Sequence, residues 1–491
     1  MSKQKKIIII GGGFSSLSSS CYLAKLGYDV LVLEKNNQLG GRARQLKKDG
    51  FTFDIGPTFY WMPDVFEAFF NNFGKSASDY YELDKLNPAY QVYYEGGESI
   101  SLPDNIEDIK ILFESIEKGS ALKLQEFISN AEDNYKIAIQ DLVYKPGENI
   151  FEIINFQTFK KLNLFFKSIQ QSVAEHFKDP RLIKIMEFPT LFLGAKPSKT
   201  PAFYNFMNYA DFCLGTWHPK GGMYEVVEAM IKLATELGVK FECNTTVNAI
   251  TTSGKKVTHI DTSSGTKECD ILLSGADYVH TESLLDSENR QYTTNYWEKK
   301  TLAPSALLFY VGFNKKLEKV SHHTLFFDTD FTEHAKSIYD TPEWPNEPLF
   351  YASFPSITDS SVAPEGNENG IFLIPIAPGI EDSEALRSKY FDLIISRMES
   401  LTKQNIKDSI LFKESFGINN FIEDYNSFKG NAYGLANTLF QTHVLRPKLK
   451  SKKVDNLYFT GQLTVPGPGV PPSIISGKIV AELINKYEFI Y

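Results

Sequence analysis

Four consecutive isoleucines at residues 7–10 lie between charged residues and three glycines. A β-branched run without polar alternation predicts a strand buried on both faces of a parallel sheet. After Gly11-Gly12-Gly13, Leu17, Cys21, Leu23, Ala24 and Leu26 give an apolar face at helical spacing, predicting a helix that begins near Ser15 and stops at Gly27. Residues 29–34 then predict a second buried strand, and residues 51–57 a strand with a tight exit. Val226, Val227, Met230, Ile231, Leu233 and Ala234 mark an amphipathic helix opened by residues 221–224 and stopped by Gly238. Short strands are predicted at 239–243, 247–250, 257–261 and 268–273, and buried strands at 303–313 and 370–375. A strand at 457–461 and a helix at 474–485 close the pattern.

Strand, glycine turn, helix, strand and acid, in that order, predict a dinucleotide site. Gly11 permits the tight turn and Gly13 lets the backbone approach a pyrophosphate. The helix carrying Phe14 and Ser15 in its first turn points its amides at the phosphates. Glu34, about 20 residues past the glycines, suits the ribose hydroxyls and disfavours a 2′-phosphate. Ser16 stands where the third glycine of the motif belongs, adding a hydroxymethyl at a close helix–strand contact. A second glycine pair, Gly40-Gly41-Arg42, so soon after the first fits the longer cofactor FAD better than NAD. Residues 461–472 form a loop of glycine and proline whose bare amides suit a flavin ring edge or ribityl chain.

At 491 residues the chain has room for two or three domains. Its 38 Phe and 25 Tyr exceed ordinary packing needs and direct attention to a long apolar cavity or a lipid-facing patch. A net charge of -9 excludes general attraction to nucleic acid. Four scattered cysteines without CxxC spacing point to the reducing cytoplasm. No signal peptide, membrane-spanning run or metal cluster is evident in the sequence.

Residues 7–57, the Gly40-Gly41-Arg42 element and the tail from Tyr458 to Gly477 together resemble the bacterial carotenoid desaturases of the phytoene desaturase type. That family includes a 1-hydroxycarotenoid 3,4-desaturase branch, within a flavoprotein group that also holds amine and protoporphyrinogen oxidases. The more selective markers are residues 54–57 (DIGP), 217–223 (WHPKGGM) and 461–473. The resemblance implies that Gly11, Gly13, Glu34, Lys35, Gly41, Arg42 and Gly56 line FAD, with Phe14, Ser15 and Pro57 beside them. It adds Val247 near the adenine, then Asp277, Gly461, Val470 and Pro471. The implied fold is α/β: a Rossmann-like FAD-binding domain with a parallel sheet, from 1–75, 215–285 and 430–491. A mixed-sheet and helical substrate domain, 76–214 and 286–429, is inserted.

The stretch at about 149–212 interleaves Phe151, Phe156, Phe159, Phe165, Phe166 and later phenylalanines with Lys160, Lys161 and Lys167. It reads as a helical part that lies in a membrane interface and admits a lipid-soluble substrate, against the plainer alternative of a domain core. The expected protein is cytoplasmic and peripherally attached to the inner membrane, with oxygen or a quinone as final electron acceptor. Adjacent His322 and His323 read as a solvated loop. The activity implied is desaturation of a C40 polyene by hydride transfer to flavin, with phytoene as substrate, or alternatively a 1-hydroxycarotenoid at its 3,4 bond. An amine or porphyrinogen oxidase, and a flavin-free lipid binder of the GDP-dissociation-inhibitor kind, remain as further alternatives. No residue is singled out in the sequence as the proton acceptor.

Overall fold

The computed structural model describes residues 4–152 and 161–488; Phe156, Phe159 and Lys160 lie outside the described residues. Strand Lys6–Ile10 pairs in parallel with Asp29–Leu33 on one side and Ile271–Ser274 on the other. Lys240–Glu242 and Leu457–Phe459 complete a five-stranded parallel sheet. Ile7 and Ile9 enter the core beneath the first helix, while Ile8 and Ile10 enter a second core on the opposite face. Burial on both sides explains a run of isoleucines without polar alternation.

The first helix, Phe14–Lys25, packs on the closing helix, Val470–Glu488. A Cβ placed on Gly477 would lie 2.5 Å from the Ser15 carbonyl oxygen and 2.6 Å from Ser18 Cβ, so only glycine permits this approach. The closing helix starts at Val470, four residues before the start predicted from sequence. Pro471 and Pro472 are tolerated there because first-turn N–H groups need no helical partner. The predicted strand 268–273 is divided in two. Gly265–Glu268 ends a three-stranded antiparallel sheet, whereas Ile271–Ser274 joins the parallel one. The chain crosses between them at Asp270, whose carboxylate accepts the Lys6 N–H at 2.7 Å.

A seven-stranded mixed sheet forms the other layer, with Ser305–Phe313 between Ile410–Phe416 and Glu368–Ile376. Leu307, Phe309 and Val311 face the core beneath helix Glu384–Thr402. Ala306, Leu308 and Tyr310 face the opposite way, toward Phe51 and Phe53. The helical stretch differs from its sequence reading. Phe177, Phe188, Phe203, Phe206 and Phe212 are buried, and only Phe151 and Phe166 are largely exposed among the described phenylalanines of this stretch. Its segments are short helices, such as Leu162–Phe166, Ile169–His176 and Pro180–Leu191; Phe188 and Phe177, which caps the second of them, lie in the core, and Phe165 packs against it.

Within that core Tyr90 donates to Asp211 Oδ2 at 2.8 Å, and burial pushes the Asp211 carboxyl up to about 8. A raised folded value means that the stability contributed by the protonated acid is complete below the unfolded value and is lost as pH rises through about 8. Asp211→Asn keeps the shape and the acceptor for Tyr90 without the titration. The melting temperature of the variant relative to wild type is expected to climb between about pH 5 and about pH 9; a constant difference across that range would contradict the assignment.

Candidate active site

One cavity of about 860 Å³ runs from the glycine turns of the parallel sheet to the aromatic helical layer. Its first end is built from backbone. Gly11 takes φ +86°, and a Cβ on Gly13 would meet nothing nearer than Gly41 Cα at 4.0 Å. The two glycine turns are thus bare toward each other, joined by a bridge between Gly13 and Gly40. Phe14 and Ser15 follow in a helix whose N-cap, Gly13, supplies no side-chain acceptor. Its first amides are therefore available to an anion.

Glu34 is buried at the end of its strand. Its Oε2 accepts the Gly12 N–H at 2.8 Å and its Oε1 the Asn36 N–H at 2.9 Å. The carboxylate therefore fixes the first turn and keeps further lone pairs for hydroxyl donors. Lys35 also lines the cavity, with its ammonium turned to the Glu423 carbonyl and to Asn426. Arg42 donates to the Asn431 carbonyl at 3.2 Å and lies over the Tyr425 ring, while its Nε is buried with no partner among the described residues. Gly56 is required because a Cβ would enter the Arg42 carbonyl, and Pro57 follows it along the wall. Val247 lies close to the Glu34 end, beside Thr245, whose N–H bonds the Glu34 carbonyl.

Asp277 is a helix cap, accepting from the N–H groups of Val279 and His280 and from that of Phe428. Burial raises its carboxyl despite these bonds and the nearby Arg42. Gly461, Val470 and Pro471 complete the opposite wall. All the residues expected from the sequence at a cofactor site thus border one cavity. Bare glycine turns, an uncapped helix start and an orphaned Arg42 donor fit a dinucleotide with an anionic centre. Ser16 is accommodated because the residue facing it is Gly275, where a Cβ would overlap the Ser16 hydroxyl.

Two of the three selective markers, 54–57 and 217–223, dock on one another. Asp54 accepts the Met223 and Tyr224 N–H groups at 2.8 and 3.2 Å, capping helix Tyr224–Glu236, and burial pushes its carboxyl up to about 6. The other end of the cavity is aromatic and aliphatic. Phe59, Phe188 and Phe192 pack with ring centroids 5.3 to 5.9 Å apart. The wall continues through Phe165 and Leu162 to Phe166, which is 74% exposed.

Several site residues gave no signal in the sequence. Arg446, 2% exposed, donates to the carbonyls of Thr464, Gln441 and Gln462 and to Asn437 Oδ1 at 2.7 to 2.9 Å, clamping the wall loop before the closing helix. Burial lowers its guanidinium to about 10. His322 and His323 are not in a solvated loop: both are buried, and His323 opens the inner strand His323–Phe326, paired on both edges. Hydrophobic neighbours at 325–327 and two flanking strands leave that position no access to water. His323 stacks on Phe59 with ring centroids 3.9 Å apart and places Nδ1 2.7 Å from Tyr351 Oη.

The chain belongs to the flavin containing amine oxidoreductase family, whose profile matches residues 17–485. It is 41% identical over 483 residues to a carotenoid 3,4-desaturase of Haloarcula japonica, covering 97% of each chain. It is 31% identical to a 4,4'-diapophytoene desaturase (4,4'-diaponeurosporene-forming) of Staphylococcus aureus strain Newman, covering 98% of this chain and 99% of that one. An oxidoreductase structure from Methanosarcina mazei shares the fold with TM-score 0.65 at 16% identity, covering 97% and 100%. The cofactor of this family is a flavin, and the cavity's first end accords with FAD.

Replacing Arg446 with methionine leaves several buried acceptors without a donor. It is expected to cost on the order of 3 kcal/mol or more, with Arg446→Lys recovering only part. Urea unfolding of the two variants checks this; stabilities within about 1 kcal/mol of wild type would show that the clamp contributes little.

Proposed function

We propose that the chain is an FAD-dependent carotenoid desaturase that introduces C=C bonds into a long polyene. The observation that carries this reading is the single cavity that joins a backbone-lined dinucleotide end to an apolar aromatic end. When bound, FAD supplies the hydride acceptor, and the chain supplies orientation and exclusion of water. Gly11, Gly13 and the first turn at Phe14 and Ser15 would hold the pyrophosphate, Glu34 the ribose and Val247 the adenine side. Gly41, Arg42, Gly56, Pro57, Gly461, Val470 and Pro471 would border the flavin half, with Asp277 fixing the helix start beside Arg42 and Lys35 tying the ribose side to residues 423–426.

On this reading 1–75, 215–285 and 430–491 form the FAD domain, and 76–214 with 286–429 the substrate domain. Of the two polyene classes, the 41% identity to a carotenoid 3,4-desaturase favours a later carotenoid over phytoene. No helix among the described residues is long and apolar enough to cross a membrane. A lipophilic substrate would instead enter where the cavity wall reaches Ile150, Leu162 and Phe166, all exposed, with Phe151 nearby. This supports peripheral attachment to the cytoplasmic face of the inner membrane, where oxygen or a quinone takes the electrons onward.

Anaerobic mixing of the FAD-loaded protein with phytoene and, separately, with a 1-hydroxycarotenoid in liposomes is expected to bleach the flavin and red-shift the polyene with the hydroxylated substrate. Bleaching by amines or porphyrinogens and by neither polyene would refute the proposal. Replacing Phe151 and Phe166 together by aspartate is expected to lower co-sedimentation with anionic phospholipid vesicles severalfold while FAD content is unchanged. Equal vesicle binding by the variant would remove that patch as the point of attachment.

A further inference from the structure

Desaturation releases two hydrogens in different forms. One would leave with its C–H electron pair as hydride, for which bound FAD would be the acceptor. The neighbouring carbon then gives up a proton, and the electron pair left behind becomes the second bond of the alkene. A base must stand on an otherwise apolar wall to receive that proton.

The cavity carries one buried polar line that fits. Thr58 Oγ1 and Tyr351 Oη are 2.7 Å apart, and both residues border the cavity directly beyond Pro57. Tyr351 Oη is also 2.7 Å from His323 Nδ1. The His323 and His322 rings lie edge to face with centroids 4.5 Å apart, and His322 Nδ1 is 2.7 Å from Thr358 Oγ1. Thr358 is exposed, but the two rings touch without a hydrogen bond, so the hydrogen-bonded line from the cavity ends at His323. His218 packs on His322 at 4.6 Å, and its Nε2 is 3.1 Å from Asp359 Oδ2. The Nε2 atoms of His322 and His323 are buried with no partner among the described residues.

We infer that Tyr351 and His323 form the proton acceptor of the reaction; this rests on the desaturase reading above. The Tyr351 oxygen takes the substrate proton on a lone pair as its own proton passes to His323 Nδ1. His323 holds that proton as the imidazolium, and after the product has left it returns by the same Tyr351 oxygen to water entering the cavity. Burial and the neighbouring imidazoles hold His322 and His323 well below the usual histidine value, so both rings are neutral and able to accept. A weak base suffices, because loss of hydride makes the adjacent C–H strongly acidic. The titratable groups facing His323 are His322, His218 and Tyr351, with Asp359 and Asp54 behind His218. Burial alone would raise Asp359, yet hydrogen bonds from His218, Ser361 and the Gly221 N–H hold it far below the usual carboxylate range.

The test uses the FAD-loaded protein and variants Tyr351→Phe and Thr58→Val, which keep side-chain shape, with His323→Gln as a third. Single-turnover alkene formation is expected to slow on the order of 100-fold in Tyr351→Phe, with melting temperature and FAD content unchanged and the wild-type solvent deuterium effect lost. Nitrogen-15 spectra of histidine-labelled wild type need no substrate and are expected to show His323 Nδ1 unprotonated. A proton on that atom, or a Tyr351→Phe variant as fast as wild type, would overturn the relay alone. Wild type that turns over neither polyene would overturn the desaturase reading and the relay with it.

Discussion

Everything at the cofactor end depends on how closely backbone approaches backbone. Gly13 faces Gly41, Gly56 lies on the Arg42 carbonyl, Gly275 faces Ser16, and Gly477 lies on the first turn of the first helix. The first two contacts close the N-terminal unit on itself and the last two join it to the middle and the end of the chain, so the site exists only after all three have folded together. A single methyl group at Gly477 would have to displace the Ser15 carbonyl, which belongs to the uncapped first turn that borders the cavity. Interiors packed at crystal-like density transmit such a displacement instead of absorbing it.

The second constraint is the wall loop at 461–472. Glycines and prolines give it a fixed path but few side chains to hold it down, and Arg446 from the preceding segment supplies the missing donors. A buried guanidinium is a costly group to desolvate, and here its five N–H groups are matched to carbonyls that would themselves be unpaired without it. Charge serves as a fastener in a place where apolar packing cannot reach.

How far the sequence discloses this follows from what each element needs locally. The isoleucine run, the glycine turns, Glu34 and the helix at 224–236 are legible because their periodicity or backbone demands are local. The split at Asp270 is not, because it is decided by a hydrogen bond to Lys6 across the sheet. The early start of the closing helix is obscured by prolines that read as loop and are acceptable only in a first turn. The phenylalanines at 165–212 carry helical spacing, which looks the same whether the face meets lipid or core. Arg446, Tyr351 and the paired histidines are single residues without spacing partners, and their roles arise from strands and loops that meet only in three dimensions.

Those histidines are the least economical part of the wall. Two imidazoles with unpaired buried nitrogens, a tyrosine hydroxyl and a threonine hydroxyl occupy positions where leucine or phenylalanine would pack without loss of solvation. Buried polar groups that lack partners destabilise a fold by about 1–3 kcal/mol each, and an apolar replacement of similar volume is often neutral or better. Stability therefore gives no reason for a polar line through an aromatic wall. Chemistry does: the hydrogen-bonded line of Thr58, Tyr351 and His323 starts beside Pro57 at the junction of the two cavity ends and sets a neutral imidazole behind the wall. A proton taken up at an apolar wall needs an acceptor that brings in no water, and a buried hydroxyl backed by a neutral imidazole is a form such an acceptor takes.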